Sequence, residues 1–412
     1  MISLWRRVRS FPVSVQLLFV NQFSINAGFY MLMPYLADYL ASDLQLAAWA
    51  IGLVLGIRNL GQQGMFFLGG ALADKFGYKP LIVAGLLLRT IAFALLGLVS
   101  SLVALIVASA LIGLAGAMFN PAVRAYVAHD AAQRRVEAFA VFNIFYQAGL
   151  LAGPLIGLVL LATDFRLICA VAAALFALLG VIQIVALPAR ESPNAESANN
   201  ATSTGIRTGL SVAANNRQFL VFSLLMTAAT LLTFQTYLVL PLQLRAIDLT
   251  AQAAGVWTAV LFAVSGIVAI CAQTPIIAWA RRRMQPRQVL SAGLMIAGLA
   301  FFPLIIATAI GVPAGVIAAV LAAGAVLGIA SALTYPFEMD MIVTLARDRY
   351  VATHYGLYST ITGVTVSGGN LAIGATIDLA GNAGNPALPA AILVIIGLIT
   401  GLGLRTMRRL DA

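Results

Sequence analysis

Charge is what this chain has least of: Asp, Glu, Lys and Arg together make up 9% of its 412 residues, against 61% hydrophobic residues. A water-soluble domain carries roughly a quarter of its residues as charged groups, so this composition excludes one and requires lipid as the solvent for the apolar excess. Cysteine is sparser still. The two present, Cys169 and Cys271, fall in different apolar stretches, which argues against a disulfide framework or a zinc site. The two histidines, His129 and His354, stand outside any ligand cluster, so neither a metal nor another cofactor is expected. A Walker phosphate loop, a G-x-S-x-G elbow and a metalloprotease histidine pair are all missing. A polytopic membrane enzyme and a non-transporting receptor or scaffold are therefore the rival classes, to be separated by group-transfer chemistry in the first case and by absence of substrate flux in the second.

What the chain has in quantity is apolar runs long enough to span a bilayer, for which about 20 residues suffice. Twelve are legible, near 12–39, 46–70, 81–99, 103–126, 137–161, 166–187, 218–243, 252–279, 288–309, 315–340, 355–379 and 388–404. The first contains Asn21, Gln22 and Asn26 and no small-residue cleavage site follows it, so it reads as a retained helix and not a signal peptide. The fold class expected is an all-α polytopic membrane protein with 12 transmembrane helices in two six-helix bundles.

The basic residues set an orientation. Arg6, Arg7 and Arg9 precede the first run, and Lys75 and Lys79 lie between the second and third. Arg134 and Arg135, then Arg190, Arg207 and Arg217, then Arg281, Arg282, Arg283 and Arg287 follow at alternate connections. Arg347 and Arg349 come next, and Arg405, Arg408 and Arg409 close the series. The opposite connections offer only Arg166 and Arg245 near their edges. Positive charge is retained on the cytoplasmic side, so both termini are expected there, and the net charge of +10 follows from topology. No nucleic-acid partner needs to be invoked; the lipid bilayer is the partner that this charge placement meets.

One polar, low-complexity stretch, residues 191–205, divides the chain nearly in half. The expected organisation is an N-terminal bundle over 1–189, a cytoplasmic linker over 190–216 and a C-terminal bundle over 217–412. An internal repeat supports it, because Gly113 to Pro121 aligns without a gap on Gly328 to Pro336, and the same offset carries Arg134 to Arg349 and Gly153 to Gly368. Such parallel halves with a cleft between them are a transporter architecture.

Two motifs sharpen this. Gly70-Ala71-Leu72-Ala73-Asp74-Lys75-Phe76-Gly77-Tyr78-Lys79 resembles the loop 2-3 signature of the major facilitator superfamily. Gly149-Leu150-Leu151-Ala152-Gly153-Pro154-Leu155-Ile156-Gly157 resembles the G-x-x-x-G-P-x-x-G motif of that superfamily's drug:proton antiporters. Within the superfamily, Leu55 to Gly64, Phe76 to Pro80, Arg89 and Phe119 to Arg124 are similar to the MdtH type of bacterial multidrug-resistance protein. The resemblance implies a bacterial inner-membrane antiporter in which Gly70, Asp74, Lys75, Gly77 and Lys79 latch the cytoplasmic ends of the halves. Arg124 is the cationic partner expected for Asp74, with Glu137 extending the network. Tyr78 stands where the common motif has Arg, which leaves one leg of the usual charge network open. The other reading of the lysines is that they merely enforce topology.

Gly149, Gly153 and Gly157 recur every four residues and clear one helical stripe for a neighbouring backbone. Pro154 removes an intrahelical hydrogen bond and permits a bend. The resemblance places this stripe at the interface between halves, where it limits leak; ordinary tight packing is the alternative.

Polar groups within the runs are costly and mark candidate pathway residues. The set is Asn21, Gln22, Asn26, Arg58, Gln62, Arg89, Tyr146, Gln147, Gln235 and Tyr358, each also accounted for by a structural interhelical hydrogen bond. Arg58 and Arg89 are the only ionised residues deep in a run, so a pocket built on them favours anionic or zwitterionic substrates, unless they simply bond backbone carbonyls. Proton exchange wants a buried carboxylate or His, and none sits mid-run. Asp38 lies near an outer end, as does Asp378, while Glu338, Asp340 and His354 lie near inner ends, where structural ion pairs also explain them. The sum is a carrier that moves a small, partly apolar molecule, with protons as the coupling ion; siderophore or metabolite export and nutrient import are the alternatives.

Overall fold

The computed structural model describes residues 2–161, 164–189, 204–247, 250–382 and 385–406. Every one of the twelve apolar runs lies on helix. The helices are α1 (Ile2–Arg9), α2 (Val13–Tyr30), α3 (Met33–Ser42), α4 (Ala48–Phe76), α5 (Tyr78–Leu98), α6 (Leu102–Ala131), α7 (Arg135–Leu161) and α8 (Phe165–Ala186). After them come α9 (Thr204–Asn215), α10 (Arg217–Phe234), α11 (Val239–Arg245), α12 (Ala251–Arg283), α13 (Pro286–Leu299), α14 (Phe302–Ile310), α15 (Pro313–Ala346), α16 (Val351–Asn382) and α17 (Leu388–Thr406). Among the described residues, eight helical segments are long and apolar enough to cross a membrane by length and composition. One of these, Leu102–Leu160, holds two runs, so three fall short: the first is interrupted at Met31–Leu32 between α2 and α3, α4 carries Arg58, Asn59, Gln62 and Gln63, and α16 carries Ser359, Thr360, Thr362, Ser367 and Asn370.

The outside of the protein is oily. Leu98 is 84% exposed, Val185 81% and Leu371 77%, and exposed Leu, Ile and Val side chains recur along most of the long helices. Apolar side chains exposed on so many long helices are what lipid-facing surface presents, and the chain is a multi-pass membrane protein.

The chain forms two compact units, one of Met1–Asn216 with Ile342–Thr360, the other of Arg217–Met341 with Ile361–Ala412. One division falls between Asn216 and Arg217, and the end of α15 and the first turns of α16 belong to the first unit and not to the unit of the segments that flank them. The linker itself is described from residue 204, and there it is a helix. Gly209 and Ala213, one turn apart on α9, are buried; Gly209 lies against Tyr350, and Asn216 Nδ2 donates to the Leu345 carbonyl at 2.9 Å. The 204–216 part of the expected polar connector therefore docks on the first unit, because small apolar residues at helical spacing give it a face to bury.

In the first unit the core is aromatic. Phe93 meets Phe176 edge-on at 5.0 Å, and Tyr39 stacks on Phe165 at 4.0 Å. In the second, Leu240, Leu244, Leu261, Phe301, Leu304, Leu327 and Leu393 form one cluster that draws on five helices. The repeat has a packing counterpart inside each unit. A Cβ on Gly113 of α6 would sit 2.5 Å from the Arg58 carbonyl oxygen of α4, and a Cβ on Gly328 of α15 would sit 2.5 Å from the Ser265 carbonyl oxygen of α12. The third landmark behaves differently: Gly153 is tightly enclosed, whereas a Cβ on Gly368 would meet nothing within 4 Å.

Candidate functional site

The loop motif is built around an abrupt reversal. Gly77 adopts φ 89°, a left-handed value that ends α4 and lets α5 start at once with Tyr78. Asp74, beyond the apolar run that ends at residue 70, is then 3% exposed. One carboxylate oxygen accepts the Thr353 amide and the Thr353 hydroxyl, each at 2.7 Å, and the other accepts the Ala352 amide at 3.3 Å. The Tyr78 side chain adds a further hydrogen bond. Ala352 and Thr353 occupy the first turn of α16, so a carboxylate caps the positive end of a helix dipole.

The turn that presents those amides is strained. Arg347, Asp348 and Tyr350 all have φ between 51° and 55°, where non-glycine residues are uncommon. Two glycines let the backbones meet: a Cβ on Gly70 would overlap the Ala352 carbonyl, and one on Gly356 would overlap that of Phe66. Thr360 Oγ1 completes the crossing, donating to the Gln63 carbonyl at 3.0 Å and accepting from the Phe67 amide at 3.3 Å.

The expected cationic partner is elsewhere. Arg124 Nη1 donates to Ser359 Oγ at 3.0 Å, so it ties α6 to α16 alongside Asp74 without contacting it. Tyr78 occupies the place in the motif where a second cation usually stands, and its hydroxyl satisfies Asp74 as a neutral donor. Glu137 pairs with Arg134 at 2.8 Å, and Arg134 lies over Phe11 and reaches Ser10. Lys75 lies over Phe76 at 5.2 Å; Lys79 Nζ donates to the Ile184 carbonyl at 2.8 Å, near the C-terminal end of α8 where a cation is favoured. Arg135 bridges to Asp348 at 3.1 Å, fastening the strained turn.

Burial pushes the Asp74 carboxyl up to about 6; the hydrogen bonds from Thr353, Ala352 and Tyr78 oppose this but do not cancel it. A raised value means that Asp74 buried against α16 binds a proton more tightly than a hydrated Asp74 with its ordinary value of 3.8. The resulting stabilisation is complete below 3.8 and is lost as pH rises through about 6, with a span of roughly 3 kcal/mol at 1.36 kcal/mol per unit. Hydrogen exchange at the Ala352 and Thr353 amides, corrected for intrinsic rate, should show protection falling between pH 5 and 7. The slope should vanish in Asp74→Asn; an unchanged slope there would assign it to another group.

The glycine stripe of α7 faces α2 in the same unit. A Cβ on Gly149 would come 2.9 Å from Asn26 Cβ, and one on Gly153 would come 2.8 Å from Tyr30 Cβ and 2.9 Å from the Ala27 carbonyl oxygen. One on Gly157 would overlap the Met31 carbonyl. The expected position between halves is thus replaced by a seam within the first unit, because a stripe of three glycines accepts a whole backbone and α2 supplies it. The α2 partner breaks at Met31–Leu32 beside this seam, and the Tyr35 hydroxyl donates to the Pro154 carbonyl at 2.7 Å.

The candidate cavity residues do not form one cluster. Asn21 is fully buried, and neither end of its amide has a partner among the described residues. Asn26 Nδ2 donates to the Gln22 carbonyl of its own helix at 2.7 Å. Gln62 lies against Gly116, where a Cβ would come 2.7 Å from its Nε2. Tyr146 and Gln147 are half-buried on α7, and Tyr358 is buried on α16. Gln235 belongs to the second unit, at the break between α10 and α11. Its Nε2 donates to the Leu231 carbonyl at 2.9 Å and to Asn370 Oδ1 at 3.0 Å. Among the coupling candidates, the Asp38 and Asp378 side chains lie outside the described residues, Glu338 is buried, Asp340 half-buried, and buried His354 has Nδ1 2.8 Å from the Tyr350 carbonyl.

Arg58 and Arg89 are brought together. The Arg89 guanidinium lies 6.0 Å from the Phe29 ring, 5.8 Å from Phe119 and 5.7 Å from Phe176, while Arg58 lies 5.3 Å from the same Phe29 ring. Gly28 admits this cage, since a Cβ there would press on Phe176 at 3.0 Å. An Arg at mid-membrane costs about 2.5–3.5 kcal/mol on the lenient insertion scale, and a desolvated cation over a ring regains about 0.5–2 kcal/mol. Three rings therefore roughly offset the burial of Arg89. They were invisible in the sequence, where no spacing links Phe29, Phe119 and Phe176. Thr353 and Ser359 were equally unmarked, as ordinary hydroxyls in a helix.

Residues 18–369 match the profile of the Major Facilitator Superfamily. The chain is 49% identical over 402 residues to a Mycobacterium tuberculosis protein, the uncharacterized MFS-type transporter Rv0849, covering 97% of this chain and 94% of that one. It is 29% identical over 390 residues to the Escherichia coli multidrug resistance protein MdtH, covering 94% and 92%. Among solved structures it resembles the human organic anion transporter MFSD10, with TM-score 0.70 at 16% identity over 97% of this chain and 99% of that one. It also resembles the Escherichia coli fucose:proton symporter FucP, with TM-score 0.73 at 18% identity over 95% and 97%.

Proposed function

The chain belongs to the Major Facilitator Superfamily and is a secondary transporter, and from that premise we propose that it exports small, partly apolar molecules by alternating access driven by the proton gradient. The observation that carries the reading is the Asp74 latch. A buried carboxylate holding the first turn of α16 is a contact that must break for the basic-loop end to open, and it binds a proton more tightly when made. Alternating access needs such a bistable contact. The likeness to MdtH at 29% identity supports efflux as the direction, and the arginine and lysine placement supports cytoplasmic termini in a bacterial inner membrane.

Among the described residues no carboxylate or His stands mid-run, so coupling is assigned to the buried groups near the basic-loop end, Asp74, Glu338 and His354. Purified protein in proteoliposomes, screened for substrate-dependent proton movement under an imposed pH gradient, tests substrate, direction and coupling together. Efflux against a concentration gradient that collapses with the pH gradient is expected; uptake, or flux indifferent to the gradient, would replace this reading with an importer or a facilitator.

A further inference from the structure

The Arg58–Phe29–Arg89 group is the place where the first unit leaves charge unanswered. Arg89 is 4% exposed, and its Nε and Nη1 have no hydrogen-bond partner among the described residues; the Nε of Arg58 has none either. Arg58 Nη2 donates to Asn59 Oδ1 at 2.6 Å, which is a neutral acceptor. The two guanidiniums lie 5.3 and 6.0 Å from one ring, that of Phe29. No Asp or Glu occurs between Asp43 and Asp74 or between Asp74 and Asp130, so the helices bearing Arg58 and Arg89 have no acid at that depth. Aromatic rings stabilise a cation but accept no N–H bond in the plane of a guanidinium, where its donors point.

A buried cation pair with unused in-plane donors is a match for an oxyanion with two oxygens side by side, which takes parallel N–H bonds from arginine. We propose that Arg58 and Arg89 form the binding site for the anionic group of the transported molecule, a carboxylate or sulfonate on an apolar body. This rests on the transporter reading and names its substrate class. Arg58 is half-buried and reaches the ligand first; Arg89 is held by its three rings and supplies the fixed second charge. Permanent cations are rejected by like-charge repulsion, and neutral analogues bind without the ion pairing.

The test is direct binding to full-length protein in lipid nanodiscs, with no gradient applied, using radiolabelled 2-naphthalenesulfonate and the size-matched neutral 2-naphthalenesulfonamide. The wild type should bind the sulfonate about tenfold more tightly, the scale of one charge-assisted hydrogen bond. Arg58→Gln should remove most of that preference by weakening the sulfonate several-fold more than the sulfonamide, and Arg58→Lys should restore part of it. Arg58 is chosen because it is half-buried, so that folding survives the change; Arg89→Gln, where it folds, should behave in the same way. Absence of saturable sulfonate binding, equal affinity for the two probes, or a parallel loss of both in Arg58→Gln would overturn the assignment. Binding measured without a gradient stands apart from the export reading: preserved anion preference in a protein that fails to export would sink only the latter.

Discussion

Asp74→Asn is expected to lower transport at pH 7.5 by at least about tenfold while the protein still inserts and purifies normally. The carboxylate accepts from two amides and the Thr353 hydroxyl, with Tyr78 as a fourth donor. A hydrogen bond to a charged acceptor contributes about 1.5–3 kcal/mol, and an Asn in its place turns one acceptor into a donor facing donors. The closed arrangement should then lose at least one such bond, which shifts the equilibrium on which cycling depends. Asp74→Ala, which leaves the Ala352 and Thr353 amides without their acceptor, should be worse. The check is initial-rate flux against surface-independent measures of expression, alongside amide exchange at Ala352 and Thr353. A fully active Asp74→Asn protein would show that the motif does no more than hold α4 in place.

The second large effect is steric and comes with its own control. Gly153→Leu should abolish transport and lower thermal stability markedly, since even a Cβ there would crowd Tyr30, the Ala27 carbonyl and the Met31 amide. Overpacking commonly costs about 1–3 kcal/mol, and here the obstacle includes a backbone that cannot rotate away. Gly368, its counterpart in the repeat, has open space around the same position, so Gly368→Leu should keep stability and flux within about twofold of the wild type. Fluorescence-detected unfolding in detergent and proteoliposome flux separate the two outcomes. Equal tolerance at both positions would mean that α2 yields to the extra side chain, and the seam would then be a permissive contact.

These two positions show why the repeat was only partly informative. Gly113 and Gly328 are equivalent in sequence and in packing, but Gly153 and Gly368 share only the offset. A glycine tells the reader that a close approach is possible, whereas the neighbour that exploits it comes from another helix.

The sequence by itself determined the solvent, the helices and the motif. Apolar runs of about 20 residues must be helical in lipid, because every backbone polar group has to be bonded within its own segment, and charge scarcity made lipid unavoidable. Gly77 between Asp74 and Lys79 was already readable as a turn, since only a residue without a Cβ reverses the chain so sharply. The tertiary structure alone decided who meets whom. Asp74 finds its partners 278 and 279 residues away, in a segment that packs with the first unit although the sequence places it in the second half. Arg124 bonds Ser359 instead of Asp74, and Tyr78 takes up the role expected of a cation. Arg89 rests among rings from three helices. Hydrophobicity and periodicity are local properties and are written along the chain. Partnership between groups hundreds of residues apart depends on how helix surfaces interlock, and that information exists only once they have packed.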